Sequence, residues 1–147
     1  MRKLVFLYFC ALLLAPMVSS AQAPGAKEKV VGEVPPIVLS GLQAYRDSGP
    51  DAALRAWIKG SSLEGTKDAL SQVNILRQVQ DYYGTYRAFE VVSTEDISPK
   101  TRAIYLVLDF DRGPLFVKFV VYRSDQGWIT AYFNSNTKEE LVFPQCP

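Results

Sequence analysis

Histidine is missing from this sequence altogether, which removes the commonest general base, proton shuttle and metal ligand of neutral pH. Cysteine is nearly missing: the chain has 2, Cys10 and Cys146. Ser-His-Asp and Cys-His catalysis and the usual thiolate or imidazole zinc sites are excluded on those grounds. No glycine-rich phosphate loop follows a strand, because the glycines fall mostly where turns and helix stops want them, so nucleotide binding has no support. No apolar run reaches the roughly 20 residues that span a bilayer. Internal repeats and low-complexity segments are absent as well.

What is present begins with an export signature. Met1-Arg2-Lys3 is basic, residues 4–15 form an apolar run closed by Pro16, and Ser19-Ser20-Ala21-Gln22-Ala23 offers small residues for cleavage; these are the parts of a secretory signal peptide. A cut after Ala23 would leave Pro24 beside it, so a cut after Ala21 is the better fit. The resulting plan is a signal peptide over 1–21, a flexible arm over 22–34, a single domain over 35–143 and a tail over 144–147. The expectation is a periplasmic or secreted protein with no stable membrane insertion once the signal is removed. Cys10 would leave with the signal, and Cys146 alone can close no intrachain disulfide. Loss of Arg2 and Lys3 leaves 14 basic against 15 acidic residues, a net charge of −1, which is no electrostatic footprint for nucleic acid or an anionic membrane.

The remaining chain, drawn from a sequence of 147 residues that is 48% hydrophobic and 12% aromatic, suffices for one domain with an ordinary core. Pro35-Pro36 suits a helix start, and Val38, Leu42 and Tyr45 follow at helical spacing up to Gly49. Pro50-Asp51 reopens a helix whose apolar face is Ala53, Leu54, Trp57 and Ile58, with Gly60 as its stop. Thr66 is the N-cap of a longer helix with a stripe of Ala69, Val73, Leu76, Val79 and Tyr83, widened by Ile75 and Tyr82 and ended by Gly84. Four β-rich runs complete the pattern, at 87–93, 102–110, 115–124 and 128–135, with loops at 94–101, 111–114 and 125–127. Short joins predict an antiparallel meander. Leu141-Val142-Phe143 then adds an edge or packs as a tail. The fold class is α+β, N-terminal helices packed on a curved four-stranded antiparallel sheet.

A sheet with one face in water should alternate apolar and polar residues, and this one does not. Ile104, Leu106, Leu108 and Phe110 make one face of the second strand while Ala103, Tyr105 and Val107 keep the other apolar. In the third strand Phe116, Val120 and Tyr122 stand behind Leu115, Val117, Phe119 and Val121, interrupted by Lys118. The second face is therefore expected to be a homodimer or partner surface, or else a half-exposed face that tyrosines and the Lys118 stem make tolerable. Asp109-Phe110-Asp111-Arg112-Gly113 lacks the third oxygen ligand and distal glutamate of a calcium loop and reads as a turn. No metal and no cofactor is called for. The acid pairs Glu95-Asp96 and Glu139-Glu140 read as solvated surface.

The helix start from Gly49 through Pro50, Asp51, Ala53 and Leu54 to Trp57, and the terminal strand Gly127-Trp128-Ile129-Thr130-Ala131-Tyr132-Phe133-Asn134, make residues 35–143 similar to the NTF2-like (cystatin-related α+β cone) superfamily. The resemblance implies a long helix in the hollow of the sheet, a pocket between helices and concave face, and dimers through the outer face. This chain departs from that pattern in having no clear strand pair between the second helix and Ser71, so a shallow cone and a small pocket are expected. Catalytic members place aspartate, histidine or tyrosine in the pocket; with no histidine and Asp109 at a strand end, no catalytic residue carries over. The resulting expectation is an exported, non-catalytic binding module for a small apolar ligand or a protein partner, with Trp57, Tyr83, Tyr105 and Asn134 as ligand-binding candidates. One alternative is an isomerase or cyclase that uses a tyrosine donor and an aspartate base. Another is a protein-binding accessory factor or inhibitor, favoured if side chains fill the pocket while an outer apolar patch stays bare.

Overall fold

The structure is a computed structural model that describes residues 33–144. The expected signal peptide, nearly all of the expected arm and Cys146 lie outside the described residues. Three helices, α1 (Pro36–Ser48), α2 (Pro50–Ile58) and α3 (Lys67–Tyr83), precede four strands, β1 (Tyr86–Ser98), β2 (Thr101–Phe110), β3 (Gly113–Ser124) and β4 (Gly127–Asn136), and a short 3-10 turn, Glu139–Leu141. The strands form one antiparallel sheet in the order β1-β2-β3-β4. The α+β class and the meander thus stand as read. No helix among the described residues is long and apolar enough to cross a membrane.

Local chemistry sets the helix limits. Gly49, at φ 81°, closes α1 by donating to Tyr45 O at 2.9 Å and opens α2 by accepting from Ala53 N at 3.1 Å. That positive φ is open to glycine without strain. Thr66 caps α3 as expected, its Oγ1 accepting from Ala69 N at 3.2 Å.

One boundary differs from the sequence reading. The stretch 94–101 is not a long loop, because β1 runs on to Ser98 and only Pro99 and Lys100 turn the chain. Its polar residues hid the strand. Thr94, Glu95 and Asp96 pair with Ile104, Ala103 and Arg102, and β1 is an edge strand, where charged side chains are tolerated because they deter pairing with other chains. The Asp96 carboxylate accepts from Arg102 Nε at 2.6 Å across that pair.

The core lies between the helices and one face of the sheet. Ile104, Leu106, Leu108, Leu115, Val117, Phe119 and Val121 are all fully sealed there. Trp57 of α2, at 0% exposure, sits 5.2 Å ring to ring from both Phe119 and Phe133, and its Nε1 donates to Val38 O at 2.9 Å. Tyr45 of α1 packs on Tyr86 at 4.9 Å and Phe110 at 6.0 Å, and its Oη donates to Leu76 O at 3.4 Å. The long helix α3 meets the sheet along β4, where Ser135 Oγ and Gln72 Oε1 stand 2.9 Å apart. Trp57 fills the helix side over Phe119 and Phe133, and α3 closes the same core with Ala69, Val73, Leu76 and Val79.

The outer face is covered in part by the chain's own end. Phe143 meets Tyr105 at 5.7 Å and Phe116 at 5.4 Å, both edge-on, and Asn134 Nδ2 donates to Leu141 O at 3.3 Å. Lys118 Nζ stands 5.2 Å over the Tyr105 ring. Leu141-Val142-Phe143 therefore packs as a tail. A strip of Val120, Tyr122 and Ile129, with Tyr132 at its edge, is only partly covered: Val120 and Ile129 are partly buried, Tyr122 is 39% exposed and Tyr132 49% exposed.

Candidate functional site

The four ligand-binding candidates do not converge. Trp57 is a core plug with no open space beside it. Tyr105 and Asn134 lie on the outer face, one under Phe143 and the other holding Leu141 O. Strand parity separates them: Tyr105 follows Ile104, and Asn134 follows Phe133, both core residues, and successive side chains on a strand point to opposite faces. Of the four, Tyr83 lines an open cavity. It stands at the end of α3 against Gly113, where any side chain would press within 3.1 Å of its ring.

That cavity, about 370 Å³, is a groove between the second half of α3 and the end of β4. Ile75, Gln78, Val79, Tyr82 and Tyr83 form one wall and Ser135, Asn136 and Thr137 the other. Tyr82 is 75% exposed and its ring lies 5.4 Å from that of Tyr83. A second cavity of about 200 Å³, which shares no lining residue with the first, lies at the start of α3 beside Leu54, Ile58, Leu63, Asp68, Ala69 and Phe133. The Gln72–Ser135 contact joins the two walls of the cleft. Sequence reasoning had already placed Ile75 and Tyr82 as widening the α3 stripe; what it missed was that the excess width overhangs β4. A helix needs only about 100° of apolar arc to cover a core, and a stripe wider than that is the signal that could have found the groove.

No carboxylate, amine or guanidinium lines the 370 Å³ groove; its polar groups are amides and hydroxyls. Such a lining can orient a bound group by hydrogen bonds and pack an apolar one, and it contains no ordinary acid-base pair. Asp109 does not supply one. It pairs with Ala88 and Pro114 on β2's outer face, four residues and about 13 Å along the strand from Tyr105, so the tyrosine-aspartate couple of the isomerase alternative is not assembled.

Asp111, in the β2–β3 turn, is an acidic residue with several partners. Its Oδ2 accepts from Thr85 N at 2.8 Å and its Oδ1 from Arg87 Nε at 2.5 Å, while Arg112 N donates to Tyr83 O at 2.9 Å. The Thr85 N–H and then the Arg87 guanidinium hold its carboxyl below the usual carboxylate range. This network fastens the hairpin to the α3–β1 junction and is structural. At the far end of the sheet, the guanidinium of Arg102 stands 5.6 Å, and that of Arg123 5.9 Å, from the Trp128 ring. Arg102 is held by Asp96 and by Glu33 O.

No protein-family model matches the chain, and no curated protein matches it. Among solved structures it is similar to a domain of unknown function with a cystatin-like fold from Nostoc punctiforme, at 16% identity and a TM-score of 0.34. That match spans 48% of this chain and 50% of the other, about half of each.

Proposed function

We propose that this protein is an exported, non-catalytic binding module whose α3–β4 groove receives an apolar side chain of a partner protein. The observation that carries this reading is the make-up of the groove: two adjacent tyrosines, Ile75 and Val79 over a rim of amides and hydroxyls, with no charged group among them. Aromatic rings with polar tips are the side chains that anchor protein interfaces, since they offer large area and few rotatable bonds. The filled centre of the helix side, where Trp57 meets Phe119 edge-on and stacks on Phe133, supports surface binding over enclosure of a small apolar ligand.

Selection from a random displayed peptide library on the mature chain, residues 22–147, tests the reading. Peptides sharing an aromatic or aliphatic anchor should be enriched, and a Tyr82→Ala, Tyr83→Ala double variant should lose them. An unenriched library, or enrichment indifferent to both tyrosines, would overturn it. N-terminal sequencing of the exported protein should begin at Gln22. A second reading, a homodimer through the outer face, is favoured by the partly exposed apolar strip of Val120, Tyr122 and Ile129.

A further inference from the structure

Two arginines stand where strand parity calls for core residues. Arg102 lies two residues before Ile104 on β2, Arg123 two after Val121 on β3 and Trp128 two before Thr130 on β4; Ile104, Val121 and Thr130 are all fully buried. Side chains two apart on a strand share a face, so both cations and the indole continue the helix-side face past the end of the core. The register brings them together, since Arg102 pairs with Val121 and Arg123 with Trp128. A cavity of about 330 Å³ opens there, walled by Glu33, Pro35, Pro36, Arg102, Arg123 and Trp128.

The guanidiniums of Arg102 and Arg123 stand 5.6 and 5.9 Å from the same Trp128 ring, and like charges held together repel unless something offsets them. Arg102 is offset. Its Nε donates to Asp96 Oδ1 and its Nη1 to Glu33 O, both at 2.6 Å, which fixes the guanidinium and leaves Nη2 without a hydrogen bond among the described residues. Arg123 is not offset. It is exposed, and its guanidinium has neither an ion pair nor a hydrogen bond among the described residues, only the indole. The Glu33 carboxylate pairs with neither arginine, and the first turn of α1, which carries Pro36, holds no acid.

The cavity therefore lacks one negative charge at Arg123, beside a wall of two proline rings and an indole. We infer that it takes a carboxylate on an apolar body of amino-acid size, its oxygens accepting from Arg123 and from Arg102 Nη2 and its body lying on Pro35, Pro36 and Trp128. The planar guanidinium fork matches the two oxygens of a carboxylate. The Glu33 carboxylate at the wall disfavours a doubly charged group such as a phosphate monoester. Such a ligand is either a free carboxylic acid or the terminal residue of a peptide. The cavity shares no residue with the α3–β4 groove, so it stands or falls independently of the reading above.

Titration of residues 22–147 with phenylacetate, for the free acid, and with N-acetylphenylalanine, for the peptide terminus, tests it through the indole N–H signals of the 2 tryptophans in NMR. The Trp128 signal should shift to saturation while that of Trp57, sealed in the core, stays in place; the tighter of the two acids identifies the source. The amide of N-acetylphenylalanine, with the same body and no charge, should bind roughly ten-fold more weakly or worse. Arg123→Gln gives up only the ring contact, so it should keep the fold and lose affinity to the same extent. Lys100→Gln, which removes a neighbouring cation outside the cavity, should leave binding unchanged. No saturation with either acid, equal affinity for the amide, parental binding in Arg123→Gln, or an equal loss in Lys100→Gln would overturn the inference and leave the two arginines as caps on the Trp128 ring.

Discussion

Gly41 stands inside α1, where a glycine ordinarily costs about 1 kcal/mol relative to alanine. The indole of Trp57 lies directly on that part of the helix backbone, and a methyl group at Gly41 would collide with Nε1 and its neighbouring ring atoms. Propensity and packing therefore pull in opposite directions, and overpacking a filled core costs roughly 1–3 kcal/mol. Gly41→Ala should lower the melting temperature despite the better helix former; a rise would show that the indole does not rest there. Asp111 offers a pH-dependent test. A carboxyl whose pKa is depressed on folding contributes stability above its unfolded pKa, near 4, and loses it as pH falls through the lower folded value. Asp111→Asn should melt below the parent at neutral pH, and the gap should close as the pH drops below about 4. A gap that persists into strong acid would show that charge at Asp111 plays no part. Neither effect was legible in the sequence, where Gly41 is one glycine among several and Asp111 a turn residue. Both depend on partners far away along the chain.

The elements, by contrast, were largely legible. Each helix has its own start and stop residues and its own stripe, so its limits follow from neighbours in sequence. The Thr66 cap is a case of this: Thr66→Ala should cost about 1 kcal/mol of stability in chemical denaturation, and a silent substitution would mean that the Ala69 N–H finds water equally well. The exception was β1, whose last residues are polar because an edge strand has only one neighbour. The end of the chain is the other case in which an element waits on tertiary structure. Phe143 covers Tyr105 and Phe116, and removing a partly buried phenylalanine ring should cost about 1–2 kcal/mol by area. Phe143→Ser should show that loss together with stronger binding of a hydrophobic dye. Full stability in this variant would mean that the tail only rests on the sheet.

At the scale of the molecule, a two-sided apolar sheet has to be closed by something. On one side α1, α2 and α3 close it around Trp57; on the other the tail and Lys118 close the part over Tyr105. The strip of Val120, Tyr122 and Ile129 is what a second copy would cover. On the homodimer reading, light scattering of residues 22–147 across a wide concentration range should show twice the monomer mass, and Tyr122→Lys should abolish the doubling. A monomer at the highest concentration would assign the strip to solvent. Apolarity on both faces of β2 and β3 was written in the sequence, as were the export signature, the absence of histidine and the order of helices and strands. These depend on residue type and short spacing alone. Which face each candidate residue occupies, what fills the centre of the helix side, and where two tyrosines meet open space were decided by contacts between residues tens of positions apart. Such contacts depend on how α1, α2, α3 and the sheet settle on one another, and no local pattern in the chain encodes that.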